Sequence, residues 1–275
     1  MQPLLTCTTE ELVCLLSMCG YHEMAKGLGE SMLGEKTPEA WDAVIEGAAH
    51  QMMLKGIWDT EKAERDEVPL GDQWQRFTEQ YAESSYLVRF VDRVEGQSLL
   101  FHQISDDQWF FHHVINDIIH IFAKVDTQKA YNEVDRFFNL SASAKTDRQE
   151  FVLTPEQFDR LTDNEQVSPI LTELSAVAEP PSISAFEDFV QDLAEQNWTL
   201  KNGSAFQIGD QQNDMTISDL FFFLPAQNGI WLVVYEIENG KQQVRLTKTS
   251  KQEWLQTSKV LFRNKVSGRI KMGST

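Results

Sequence analysis

The spacing of apolar residues in the first 56 positions predicts three helices. Two threonines and two glutamates open the first helix, over residues 8–20, and a hydroxyl followed by acids is typical of a helix start. A short helix near residues 21–28 follows. The third is predicted over residues 37–56, with Pro38 at its first helical position and Gly56 just past its end. The first and third carry an apolar stripe, so both are expected to pack on a core.

A further helix is predicted near residues 72–83, and four strands follow it. The strand candidates are short apolar runs joined by polar turns, which is the pattern of an antiparallel meander. They are Tyr86–Asp92, Ser98–Ile104, Gln108–Ile115 and Ile118–Val125. Two connections, Asp106-Asp107 and Asn116-Asp117, are expected to be two-residue turns. Another helix is predicted after the meander, capped by Asp126 or Thr127.

The second half of the chain has the same order of elements. A helix near residues 185–196 precedes four more strand candidates. They are Trp198–Leu200 with Ala205–Ile208, Thr216–Leu224, Ile230–Ile237 and Gln242–Thr247. Asn228-Gly229 and Asn239-Gly240 are strong signals for hairpin turns. Thr249 or Ser250 is expected to cap the last helix.

A near-repeat in the sequence supports a duplication. Residues 37–42, Thr-Pro-Glu-Ala-Trp-Asp, return at residues 154–159 as Thr-Pro-Glu-Gln-Phe-Asp. Similarity at a fixed offset is typical of a repeated structural unit. We therefore predict an α+β fold built from an internally duplicated helix–β-meander–helix unit. The predicted domains are a first α/β half with the N-terminal helices over residues 1–140, a linker over 141–153, a second α/β half over 154–262 and a basic flexible tail over 263–275.

The strand candidates are apolar on both faces. Trp109, Phe110 and Phe111 are consecutive, and residues 221–223 are all Phe. A strand with one face in water would alternate apolar and polar residues. We therefore expect a central antiparallel sheet with flanking helical layers on both sides. The two meanders are expected to merge edge to edge around a pseudo-twofold axis.

The chain of 275 residues is strongly acidic, with a formal net charge of -18. Such a surface repels nucleic-acid phosphates and anionic lipids, and it favours solubility and a basic partner. The longest apolar run is far below the ~18 residues of a membrane span, and the N-terminus lacks a signal-peptide pattern. Cys7, Cys14 and Cys19 form no CxxC pair, which is typical of reduced thiols. We expect a cytoplasmic protein without membrane insertion.

Catalytic motifs are absent from the sequence, which has no P-loop, GxGxxG, GxSxG, HExxH or CxxC pattern. Histidines are the main candidates for chemistry. If both turns of the first meander have two residues, His113 faces His120 across the strands and His102 lies diagonal to them. Three imidazoles on one face could bind zinc, but the spacing supplies no Cys or carboxylate ligand. We therefore expect no enzymatic activity, no metal and no cofactor.

The three N-terminal helices could also form a winged-helix domain. Its recognition helix would carry Glu39, Asp42 and Glu46 against the single Lys55. A helix that enters a groove lined with phosphates needs positive charge. No nucleic acid is therefore expected as a partner, although a winged-helix regulator remains an alternative.

Two segments and the aromatic meander carry a resemblance to a known family. The segments are Glu11-Leu12-Val13-Cys14-Leu15-Leu16 followed by Gly20, and Ala48 followed by Met52-Met53-Leu54-Lys55-Gly56-Ile57. With the meander they resemble the EspG family, cytosolic chaperones of type VII (ESX) secretion, as a distant relative over roughly residues 9–262. EspG proteins have a quasi-twofold α/β body with a central antiparallel sheet. The resemblance implies a non-catalytic protein that binds a helical-hairpin secretion substrate and keeps it soluble for export.

The surface for such a client is predicted among aromatic residues of the second half. The candidates are Phe221, Phe223, Trp231, Tyr235 and Trp254. An apolar sheet next to an amphipathic helix can present a groove to a partner's helix tip, although each of these residues could equally belong to the core. Net charge alone supports an alternative, an acidic immunity or inhibitor protein for a basic toxin.

Overall fold

The computed structural model describes residues 2–140, 148–209 and 215–263, and the chain folds into two compact units. The first unit comprises Met1–Ala130 and Phe206–Ile217, and the second comprises Tyr131–Ala205 and Ser218–Thr275. Both combine helices with antiparallel strands, so the predicted α+β class is confirmed. Within the described ranges, no helix is both long and apolar enough to cross a membrane.

The first unit begins with a short strand and five helices and continues as a four-stranded meander. Its helices are α1 (Thr9–Met18), α2 (His22–Leu33), α3 (Pro38–Leu54), α4 (Thr60–Glu64) and α5 (Asp72–Ala82). Its strands are β1 (Leu5–Thr8), β2 (Tyr86–Asp92), β3 (Gln97–Ser105), β4 (Gln108–Ile115) and β5 (Ile119–Asp126). They pair antiparallel in the order β1-β5-β4-β3-β2. Helix α6 (Thr127–Phe138) follows β5.

Local signals in the sequence explain where these helices start. Thr8 and Glu11 form a capping box, in which each side chain accepts a hydrogen bond from the other residue's backbone N–H. Thr37 caps α3 ahead of a proline at the first helical position. The apolar face of α1 is fully buried in a core that also contains Phe110 of β4 and Phe122 of β5. The helices therefore cover one face of the first unit's strands.

One turn of the first meander differs from the sequence prediction. Ser105 pairs with Gln108, so the two-residue turn at Asp106-Asp107 is confirmed. Ile115 instead pairs with Ile119, which leaves a three-residue loop over residues 116–118. Its first two residues adopt positive φ angles of 52° and 56°, a conformation that Asn and Asp tolerate better than most residues. The extra residue shifts the register of β5 against β4 by one.

The second unit contains the remaining helices and strands. Its elements are β6 (Glu150–Leu153), α7 (Pro155–Arg160), a 3-10 turn (Asn164–Gln166), α8 (Val167–Ser175), α9 (Pro180–Glu195), β7 (Lys201–Ile208), β8 (Met215–Ala226), β9 (Gly229–Glu238), β10 (Lys241–Thr249) and α10 (Lys251–Val260). The first three residues of β8 and the last three of β7 belong to the first unit. Strands β8, β9, β10 and β6 are neighbours in that order.

Capping boxes and aromatic packing define the second unit. Thr154 pairs with Gln157 at the start of α7, and Ser250 pairs with Glu253 at the start of α10, as a hydroxyl cap predicts. Its aromatic side chains are buried on both faces of the strands. One core contains Phe151, Phe186, Phe189 and Trp231, and Phe138, Phe223 and Trp254 pack together elsewhere. The expectation that the strands are covered on both sides therefore holds for this region.

The predicted linker and tail are only partly described. The sequence analysis placed residues 150–153 in the linker, but they form β6, which pairs with β10. Phe151 and Leu153 of this strand are buried in the core of the second unit, which explains why the segment is ordered as a strand. The rest of the linker up to residue 147, and the tail from residue 264, lie outside the described residues. A helix, four strands and a helix occur twice in the element order, from α5 to α6 and from α9 to α10. The duplication and its twofold axis remain predictions.

Candidate functional site

The C-terminal half of β9 exposes apolar side chains in the second unit. Residues 229–233 of this strand are buried, whereas Ile237 near its end is 79% exposed. Val234, Tyr235 and, on β8, Leu220 are between 36% and 40% exposed. We call these four residues the β9 patch. Single exposed apolar residues are ordinary on a protein surface, but here three of them lie within four consecutive positions of one strand, with Tyr235 and Ile237 on one face and Val234 on the other.

Packing on one face of β9 explains why exposure begins where it does. Phe151 and Phe189 contact Trp231 edge-on, with ring centroids 5.8 Å and 5.5 Å away. Further along the strand, Phe158 of α7 contacts Tyr235 edge-on at 5.9 Å. Ile237 lies two residues beyond this contact and is exposed. The helical cover therefore ends near Tyr235 and leaves the end of the strand open to solvent.

Charged residues on the other face of β9 form a compact network. Val234 faces Arg245 of β10. The guanidinium of Arg245 donates to Glu236 at 2.6 Å and also to Glu150 of β6 and Glu238. These hydrogen bonds lower the pKa of Glu236 and raise that of Arg245. Its side chains are between 30% and 56% exposed, so solvent screens these pairs and they contribute little to stability. The network fixes acidic groups beside Val234, on the face of β9 opposite to Tyr235 and Ile237.

Four of the five aromatic residues predicted to bind a client are not available on the surface. Phe221, Phe223, Trp231 and Trp254 are at most 4% exposed, and Tyr235 is 36% exposed. The helices on both sides of the strands bury them. The prediction that these four residues contact a client is therefore corrected. Tyr235 remains a candidate contact residue. Sequence reasoning missed Ile237 and Val234, although the alternation of Ile237 with Glu236 and Glu238 next to the Asn239-Gly240 turn is a signal for an exposed strand end.

The register of the first meander corrects the predicted histidine face. His113 lies opposite Ile121, whereas His112 lies opposite Phe122 and shares a face with His120. His102 also points to this face, because it pairs with Phe110. A slip of one residue moves a side chain to the other face of a sheet. His113 therefore lies on the opposite face, half-buried and bonded to Gln97.

His102, His112 and His120 form what we call the histidine network, which ends at α1. The hydroxyl of Thr9 donates to the backbone oxygen of Asp117 at 2.8 Å, so its oxygen accepts from Nε2 of His120 at 3.0 Å. Nδ1 of His120 then accepts from Nε2 of His112 at 2.8 Å. Nδ1 of His112 accepts from Nε2 of His102 at 3.4 Å. One direction of donation therefore accounts for all three bonds, with each ring neutral and protonated on Nε2.

Burial keeps the histidine network neutral. It lowers the pKa of His102 to about 3 and that of His120 to about 4, with Glu10 acting in the opposite direction on His120. The pKa of His112 is also lowered, by burial first and by the neighbouring histidines. Tyr81 packs on His102 at 4.5 Å and closes the site from α5. These imidazoles are inaccessible core groups, and nothing in their geometry exposes a nitrogen to a substrate.

The described residues contain no arrangement suited to a metal. Across residues 2–140, 148–209 and 215–263, no group of three or more His, Cys, Asp or Glu side chains could hold an ion. Cys7, Cys14 and Cys19 are free cysteines, and burial raises the pKa of the Cys14 thiol to about 12. A thiol with a raised pKa is a poor nucleophile and a poor ligand.

The outward side of α3 is acidic, as its sequence indicates. Glu39, Asp42 and Glu46 are exposed on this helix. Lys55, directly after it, donates to Glu11 at 2.7 Å and so is engaged in an ion pair. A helix with this charge distribution repels the phosphates of a DNA groove. The winged-helix alternative therefore receives no support from the helix that would read the bases.

The fold and its surfaces define an acidic, two-unit α+β protein with an apolar strand end exposed in the second unit. The model of the family described as "Uncharacterised protein YfjC" matches residues 5–255, and the chain belongs to this family. No curated protein matches the chain.

Proposed function

We propose that this protein is a non-catalytic cytosolic chaperone that binds a helical type VII secretion substrate and keeps it soluble for export. The β9 patch is the observation that carries the proposal. Apolar side chains grouped at one strand end are a typical contact for an amphipathic segment of a partner. The EspG resemblance of residues 11–16 and 48–57 supplies the class of client.

The charge of the chain suits this role. A protein that presents apolar residues to a client risks self-association, and a net charge of -18 opposes it through mutual repulsion. Glu236 and Glu238 place carboxylates on the same face of β9 as Val234, which is opposite to the face of Tyr235 and Ile237.

The proposal that the protein is non-catalytic rests on its titratable groups. Most of the groups with the largest pKa shifts are buried histidines, cysteines and tyrosines packed in the first unit. Tyr21 is an exception, because it is only partly buried and its pKa is raised by desolvation and by its hydrogen bond to Glu83. Catalytic groups need both a shifted pKa and contact with a substrate. The histidine network is sealed by Tyr81 and Phe122 and so has only the first property.

An affinity pull-down of the tagged protein from its native cytosol, followed by mass spectrometry, tests the proposal. We expect recovery of a helical-hairpin secreted protein at a one-to-one ratio. Ile237→Asp should weaken this complex by about 10- to 100-fold, which corresponds to the apolar burial of one isoleucine. Val177→Asp is the matched control, because Val177 is 85% exposed in the same unit but lies outside the β9 patch.

Two results would overturn the proposal. One is the recovery of no secreted helical protein, and the other is equal client binding by the Ile237→Asp and Val177→Asp proteins. Salt separates the chaperone from the alternative of an acidic inhibitor of a basic toxin. A complex held by the β9 patch should persist at ~1 M NaCl, where charges are screened beyond ~3 Å. A complex held by net charge should dissociate.

A further inference from the structure

A groove of about 830 Å³ lies along helix α2 in the first unit. Its residues come from Tyr21 and α2, from the end of α5 and the loop that follows it, and from residues 208–209 and 215. The apolar part of its lining consists of Met24, Ala82, Ile208 and Met215. Met215 is 58% exposed. The groove is therefore open to solvent and offers an apolar surface.

The shape of the groove suits a helix. Tyr21, Met24 and Gly27 recur every three residues and line the groove from one face of α2. Gly27 has no side chain, and a Cβ added there would meet nothing within 4 Å. A partner helix can therefore approach the backbone of α2 closely at this point. Methionine adapts to the shapes of different partner side chains.

Acidic side chains surround this apolar surface. Glu23, Glu30 and Glu83 line the groove together with a single cation, Lys26. Lys26 lies 3.9 Å from Glu30 in an exposed pair, which contributes little. The hydroxyl of Tyr21 donates to Glu83 at 2.8 Å and holds that carboxylate in place. The lining therefore carries three carboxylates against one ammonium.

We propose that the α2 groove binds an amphipathic helix of a partner protein whose apolar stripe is flanked by Lys or Arg. The apolar lining would take the stripe, and Glu23, Glu30 and Glu83 would face the flanking cations. This binding mode lays a helix in a groove and gains specificity from complementary charge. The inference goes beyond the proposed function, because the groove lies in the first unit and the β9 patch in the second.

A model peptide provides the test. A fluorescein-labelled helix of about 18 residues, with Leu at helical spacing and Lys elsewhere, is titrated with the full protein and followed by anisotropy. A scrambled peptide of the same composition has no stripe and controls for attraction by the overall negative charge. We expect the striped peptide to bind about tenfold more tightly than the scrambled one. Hydrogen exchange should show protection of α2 by the striped peptide.

Gly27→Leu fills the groove without harming the helix. Leu has a higher helix propensity than Gly, and the space around Gly27 is empty. This variant should lower the affinity for the striped peptide by about tenfold. Gly47→Leu on α3 is the matched control, because Gly47 is also exposed with nothing near its Cβ position, and it should bind as the wild type does. Circular dichroism confirms that both variants are folded.

Equal binding of the striped and scrambled peptides would overturn the inference, since attraction would then be a property of net charge alone. Equal binding by the wild-type and Gly27→Leu proteins would also overturn it, since the peptide would then bind outside the groove. Neither result bears on the proposed chaperone function, which is tested at Ile237. Conversely, if no client binds at Ile237, the expected binding of the striped peptide in the α2 groove does not change.

Discussion

Replacing His102 with Phe tests whether the histidine network is neutral in the folded protein. His102 is the terminal donor of the network, and its bond to His112 is the longest at 3.4 Å. Phenylalanine keeps the packing on Tyr81, whose ring lies 4.5 Å from that of His102. At pH 7 the variant loses one long hydrogen bond, so its free energy of unfolding should fall by about 1 kcal/mol.

The larger effect is on the pH dependence. An unfolded histidine binds a proton with a pKa near 6.5, whereas burial holds the pKa of folded His102 at about 3. Below pH 6.5 the unfolded state binds more protons than the folded state, so stability falls as the pH falls. Between pH 7 and pH 5 this difference amounts to about 2 kcal/mol for one histidine. Three such histidines would remove about 6 kcal/mol, a large part of a typical domain's 5–15 kcal/mol.

The assay must report on the first unit, because two units need not unfold together. Urea titrations at pH 7 and pH 5 are followed by a short hydrogen–deuterium pulse at a common pH. Mass spectrometry of peptides from β3, β4 and β5 then gives the unfolded fraction of that unit. Wild type should lose about 2 kcal/mol more than His102→Phe between the two pH values. His50→Gln is the control, because His50 is exposed on α3.

The result depends on how much more stability wild type loses between pH 7 and pH 5 than His102→Phe does. The many acidic residues of the chain also change their protonation toward pH 5, but they are common to both proteins and cancel. If wild type and His102→Phe lose the same stability, folded His102 binds protons as readily as unfolded His102. The buried, neutral network would then be refuted.

Three further substitutions test packing and one ion pair in the first unit. Gly29→Ala should destabilise by about 1 to 3 kcal/mol, because a Cβ at Gly29 would lie 2.5 Å from the ring of Trp41; Gly47→Ala, in open space, should stabilise by about 0.5 to 1 kcal/mol. Lys55→Met leaves the buried carboxylate of Glu11 without its cation and should cost about 3 kcal/mol. Urea midpoints measure all three. An unchanged midpoint for Gly29→Ala would contradict the close approach of Trp41, and an unchanged midpoint for Lys55→Met would contradict the ion pair with Glu11.

Helix starts could be predicted from the sequence because capping is local. Thr8, Thr37, Thr154 and Ser250 each place a hydroxyl ahead of the first turn, and each accepts a backbone N–H in the structure. The chemistry of a cap depends on three or four neighbouring residues. No knowledge of the tertiary fold is needed to recognise it.

The register of the first meander could not be predicted in the same way. Ile118 looks like the first residue of a strand, yet it is the third residue of a loop, and β5 begins at Ile119. Asn116 and Asp117 adopt positive φ readily in two-residue and in three-residue loops, so their presence does not fix the length of the turn. This one residue decided whether His112 or His113 joined His120.

The burial of aromatic residues in the second half could be predicted from the sequence only in part. The consecutive phenylalanines predicted strands covered on both faces. Phe221 and Phe223 are buried on one face, and Phe222 is partly buried on the other, which agrees. Apolar runs do not reveal where the cover ends, since this depends on how far α7 reaches along β9. The contact of Phe158 with Tyr235 marks that limit, and it is set by tertiary packing.

Two features depart from the rule that polar side chains lie at the surface and apolar side chains in the core. The fold explains one of them but not the other. The histidine network places polar groups in a core, which is costly unless they are hydrogen-bonded. Each ring has a partner, and the bonds end at Thr9, so the fold itself explains them. Ile237 places a large apolar group in water, with 79% of its surface exposed. Departures without internal compensation are expected at functional surfaces, which is why the binding proposal rests on β9.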